Sequence, residues 1–167
     1  MSNIDNPDAS VLKRLYALIY DGLLLIAIDM VFVLLPASFL ITFKEMDTHS
    51  SGYVATIIAA TLLVHYLFYT WFWTHGGQTL GMRAWKLKLI STHDGNTINW
   101  SQGFMRFLLG LPAWVLLLMA LLNLFALQRE MNAALIMFGL LWWVMDNRAG
   151  LWREKLSHTR IEQLPKG

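Results

Sequence analysis

The stretch LKRLYALIYDGLLLIAIDMVFVLLP, residues 12–36, decides the class of fold. It is long and apolar enough to cross a bilayer as a helix, yet it carries Asp21 and Asp29. An unpaired carboxylate near a bilayer centre costs roughly 2.5–3.5 kcal/mol on insertion scales. Each aspartate therefore calls for a partner elsewhere in the chain.

Three further apolar runs follow. The first run, residues 15–43, would be about 44 Å long as one helix, more than a hydrocarbon core of about 30 Å. It must tilt, kink at Pro36 or begin in the interface, where Tyr16 and Tyr20 sit well. The second, 53–73, leads into the aromatic belt YTWFWTH, residues 69–75. The third, 104–127, spans despite Pro112. The fourth, 132–145, is short at about 21 Å; it needs local thinning of the bilayer or a re-entrant path.

Composition agrees. Of the 167 residues 56% are hydrophobic and 14% charged, against about a quarter charged in soluble domains. The first apolar run is too long for a signal-peptide core and no small-residue cleavage site follows it, so it reads as a retained membrane helix. With no cysteine, disulfide and thiolate chemistry are excluded. The net charge of +2 comes without a basic face, so nucleic acid is not an expected partner.

With four crossings, all but two of the 13 Lys and Arg lie on one side: Lys13, Arg14, Arg83, Lys86, Lys88, Arg106, Arg148, Arg153, Lys155, Arg160 and Lys166 against Lys44 and Arg129. The positive-inside rule then puts both termini in the cytoplasm. A three-crossing arrangement would place the basic tail, 146–167, outside.

Between the second and third runs lies GGQTLGMRAWKLKLISTHDGNTINWSQ, residues 76–102. AWKLKLI alternates apolar and basic residues at the strand period, and THDGN is turn chemistry. This predicts a short β-hairpin over 84–100 on the cytoplasmic membrane surface. Trp85, Leu87 and Leu89 would share a face with Ile98 and Trp100. Lys86 and Lys88 would point to headgroups or water. Ser101 is the expected N-cap of the third helix. Gly77 and Gly81 have GxxxG spacing, but their setting at a helix exit predicts a turn rather than a packing face.

Four stretches together, RLYALIYDGLLL (14–25), GGQTLGMRAWKLKLI (76–90), DGNTINWSQGFMRFL (94–108) and WREKLSHTRI (152–161), resemble the RDD family of small bacterial membrane proteins. The resemblance implies one all-α membrane domain with four helices, located in the bacterial inner membrane. Its helix-one motif falls on Arg14, Ala17 and Asp21, its glycine motif on Gly77, Gln78, Thr79, Leu80 and Gly81, with Arg83 following, and its third-helix arginine on Arg106. In the tail, Arg153 stands where the family has histidine, Glu154 where it has aspartate, and His158 where it has a small residue. The family also implies a transport role, sodium/proton antiport included.

Two constellations follow. Asp21 and Arg106 lie about 9 and 8 Å inward from the same side, so an ion pair between the first and third helices would neutralise both. It reads either as a cation or proton site or as a structural clamp. Asp29 is deeper and can meet His65 on the second helix. That pair would pass protons; the alternative is a protonated Asp29 bonded to Thr61 or a backbone carbonyl.

The histidines show no metal-ligand spacing. No HExxH, paired CxxC or phosphate-loop motif occurs, and Ser101 has no base at a recognisable spacing. No enzyme, metal or cofactor is expected. Arg83, Trp85, Lys86 and Lys88 could hold anionic lipid heads, or simply set topology. Two functions remain: a small ion or solute transporter of cation/proton antiport type, or a non-transporting accessory subunit of a larger inner-membrane complex. The expected partners are the bilayer and either further copies of the chain or other membrane subunits.

Overall fold

A computed structural model describes residues 10–44, 50–125, 137, 141 and 153–165. The first run is one long helical path in three parts: α1 (Val11–Asp29), a widened π-type segment (Met30–Leu34) and α2 (Leu35–Lys44). Pro36 explains the widening. It has no N–H to give the carbonyl four residues back, at Phe32, and its ring crowds that carbonyl. The preceding turn therefore opens instead of the helix ending.

Helix α3 (Ser51–His75) begins at Ser50, whose hydroxyl accepts from the Tyr53 N–H at 3.2 Å. A short helix α4 (Leu80–Ala84) follows, then strand β1 (Leu87–Ser91) and helix α5 (Trp100–Phe125). The tail adds helix α6 (Arg153–Ser157) and strand β2 (Thr159–Gln163). The expected fourth helix, 132–145, lies outside the described residues except for Met137 and Leu141, both helical and exposed.

The long helices turn apolar side chains outward. Leu23 and Phe32 are each 65% exposed, and both Val11–Thr42 and Ser51–His75 are long and apolar enough to cross a membrane. A soluble fold would bury such residues, whereas contiguous apolar surface of this extent suits lipid. Among the described residues a compact core sits at an end of the bundle, where Ala17, Met82, Leu87, Leu89, Ile98 and Ile161 pack together. Away from it α3 and α5 pack directly. Tyr66 meets Phe104 edge-on at 5.7 Å, and Gly103 leaves room for Thr70, whose Cγ2 would lie 2.7 Å from any added Cβ.

The hairpin over 84–100 does not form. Strand β1 pairs instead with β2, antiparallel, in the register Leu87↔Gln163, Leu89↔Ile161 and Ser91↔Thr159. The segment expected to return as a strand is used otherwise. Asn99 Oδ1 accepts from Gln102 N at 2.8 Å, while Gln102 Oε1 accepts from Asn99 N at 3.1 Å. This reciprocal capping box starts α5, with Asn99 in the place expected for Ser101. Ile98 still fills the core from its loop, 2% exposed. Leu87, Leu89 and Ile98 are buried together, whereas Trp85 and Trp100, expected on the same face as them, are exposed. At the tip of the turn, Asn96 donates to both carboxylate oxygens of Asp94, holding that carboxyl below its usual range.

Candidate functional site

The residues of the glycine motif fasten three elements together. Gly77 has φ +70° and its carbonyl accepts from Leu89 N at 2.7 Å. A side chain here would be strained by that φ and would strike Leu89 O at 2.7 Å. The Gln78 side-chain amide donates to Leu87 O at 2.5 Å. Thr79 is the N-cap of α4, accepting from Met82 N at 3.1 Å. Leu80 points outward. Gly81 lies so close to α1 that a Cβ would sit 2.2 Å from the Ala17 carbonyl oxygen.

This close approach delivers the donors that Asp21 needs. Asp21, 3% exposed, accepts from the Thr79 hydroxyl at 2.5 Å through Oδ2 and from the Gly81 N–H at 2.8 Å through Oδ1. The first turn of α4 has backbone N–H groups without helical partners, and they suit a carboxylate. The direct Asp21–Arg106 ion pair expected from helix depth is thus replaced. Arg106, also 3% exposed, donates to the Thr159 hydroxyl at 2.6 Å and lies 5.8 Å from the centre of the Trp73 ring. Equal depth along two helices does not fix azimuth, and nearer donors on α4 and a nearer acceptor on β2 take the two groups. Arg83 is exposed and outside the cluster.

Two further arginines complete this end. Arg14 donates to Glu154 Oε1 at 2.9 Å, with both side chains largely shielded. Arg153 approaches α5 where Gly110 has no side chain; an added Cβ would be 3.0 Å from its Nη1. Arg14, Asp21, Arg106 and Arg153, with Tyr69, Trp73 and Thr79, line a cavity of about 80 Å³. Its wall is mostly apolar with these polar and charged groups set into it, and it is large enough for a few waters. The Trp73 indole N–H is buried with no hydrogen-bond partner among the described residues.

Deeper along the bundle, His65 Nε2 lies 2.8 Å from Asp29 Oδ2, joining α1 and α3 next to the widened segment. Asp29 Oδ1 is buried with no partner among the described residues. Asp29 and His65 contribute nothing to the cavity wall. Among the described residues no group of three or more His, Asp or Glu comes together as a metal site.

The model of the RDD family matches residues 9–153. The chain belongs to the RDD family. No curated protein and no solved structure matches it. The RDD match and the outward-facing apolar helices make this a membrane protein. The matched stretch contains Arg14, Ala17, Asp21, the glycine motif and Arg106, and it stops at Arg153. Glu154 and strand β2 lie past it, although they complete the same cluster.

Sequence reasoning missed Thr159 and the pairing of β2. The signal was present: TRIEQ alternates, with Ile161 as its apolar centre. The tail also holds His158 at φ +50°, a backbone that favours glycine.

Proposed function

We propose that this RDD protein moves protons across the membrane in exchange for a cation or solute, with Asp29 and His65 as the proton-carrying pair. The observation that carries the reading is their 2.8 Å contact between two spanning helices, away from the structural cluster at the bundle end. Imidazole and carboxylate are both groups that can take up and release a proton, and ionisable groups at such depth mark transport paths by default. The neighbouring π-type turn is a feature frequent at functional sites.

On this reading Asp21 is a clamp. Both of its oxygens are already held by α4, so it supports the fold rather than exchanging an ion. The protein sits in the bacterial inner membrane with both termini in the cytoplasm. Support comes from the positive-inside count and from the gathering of Arg14, Arg106 and Arg153 around one cavity.

The test is reconstitution of the purified protein in vesicles with an internal pH-sensitive dye, under imposed pH and sodium gradients. Wild type should dissipate the gradient, Asp29→Asn and His65→Phe should not, and all three should give equal melting curves and elution profiles. Vesicles in which wild type moves no protons, with co-purification of a membrane partner, would favour the accessory-subunit reading.

A further inference from the structure

The cavity and the Asp29–His65 pair lie on the same two helices, one above the other. On α3 the sequence of positions is Trp73, Tyr69, His65, each one turn from the next, or about 6 Å along the axis. Trp73 and Tyr69 line the cavity and His65 does not. On α1 the matching positions are Asp21, Leu25 and Asp29, again spaced by single turns. Asp21 lines the cavity; Leu25 and Asp29 do not. The cavity therefore ends one turn short of the pair on α3 and two turns short on α1.

Leu25 fills the missing step. It is 2% exposed, among the most buried apolar residues of the chain, while Leu23 on the same helix is 65% exposed. Leucine has no donor or acceptor. A proton moving between waters or polar side chains needs an unbroken line of them, and one buried leucine interrupts it. On the cavity side there is room for such waters, which Asp21, Thr79 and three guanidinium groups can hold. On the far side the pair waits with one carboxylate oxygen, Asp29 Oδ1, buried and without a partner among the described residues.

We propose that the cavity is the aqueous entrance through which protons reach Asp29 and His65, and that Leu25 is the apolar plug that closes it. The inference rests on the proton-coupled reading above and assigns that pathway its entrance and its barrier. The widened turn at Met30–Leu34 begins directly after Asp29.

Two measurements separate the plug from the transport reading. Hydrogen–deuterium exchange at the imidazole carbon of His65, read by mass spectrometry, reports water access without requiring flux. The rate of pH equilibration in vesicles reports transport. Leu25→Ser, with Leu25→Ala as the milder change, should speed exchange at His65 several-fold and also speed pH equilibration; adding Asp29→Asn should cancel the faster equilibration. Leu25→Phe should slow both. Leu23→Ser, on the lipid side of α1, should change neither. Unchanged His65 exchange in the folded Leu25 variants would overturn the plug, as would an equal rise in Leu23→Ser. If exchange responds to Leu25 while no variant moves protons, the plug stands and the transport reading falls. If flux depends on Asp29 but neither measurement responds to Leu25, the reverse holds.

Discussion

At residue scale the clearest claims concern glycines and turns. Gly81 brings α4 onto α1 with an added Cβ only 2.2 Å from backbone, so Gly81→Ala must push the helices apart and weaken both hydrogen bonds to Asp21. Its cost should be about 2–4 kcal/mol, at the upper end for single changes. Gly22→Ala, on the same α1 with nothing within 4 Å of the added carbon, should instead stabilise by about 0.5–1 kcal/mol. Melting curves in detergent, read by tryptophan fluorescence, compare the two. At His158, with φ +50°, a β-branched residue is badly placed. His158→Val should cost about 1–2 kcal/mol, from the usual penalty for left-handed backbone, while His158→Gly should melt at or above wild type. Asp21 was legible as a buried residue needing a partner, because charge in lipid is costly wherever it sits. Which partner was not legible, since helical rise gives depth and not direction.

At element scale the decisive feature is the β1–β2 pair. The alternating pattern of AWKLKLI identified a strand correctly, but a strand pattern says only that a partner exists. The near segment 96–100 was the nearest in sequence, yet Asn99 and Gln102 commit it to the start of α5. The chain has no native cysteine, so cross-linking can test the pairing directly. Lys88 is opposite Glu162, and facing residues on antiparallel strands lie within the range a disulfide spans. Lys88→Cys with Glu162→Cys should form an intramolecular disulfide under mild oxidant. Lys88→Cys with Trp100→Cys, the pair that a local hairpin turning at residues 92–96 would favour, should not.

For the whole molecule, one end carries most of the non-local structure. The start of α1, the exit of α3, the entry of α5 and the tail all meet there through Arg14–Glu154, Asp21–Thr79, Arg106–Thr159 and the sheet. Glu154→Ala removes one charged partner of a largely shielded Arg14 and should cost about 1–3 kcal/mol. Arg14→Glu with Glu154→Arg should recover part of that loss in the same melting assay. The common end also implies a common side. Single cysteines at Ser10→Cys and Pro165→Cys, both at exposed positions, should react with a membrane-impermeant maleimide only from the cytoplasmic face. Labelling of one terminus from outside would contradict both the positive-inside count and the shared cluster.

The amino-acid sequence by itself determined that the chain is a membrane protein, where its first three helices run, and that Asp21 and Asp29 must be satisfied from other helices. These follow from composition, length and the cost of charge in lipid, which act locally along the chain. Tertiary structure alone decided who satisfies whom. It chose a hydroxyl and an amide of α4 over a guanidinium for Asp21, and a distant tail over a local return for β1. Each choice depends on the rotation of one element about its axis relative to another, and that rotation is set by packing at the crowded end of the bundle, not by the period of any single segment.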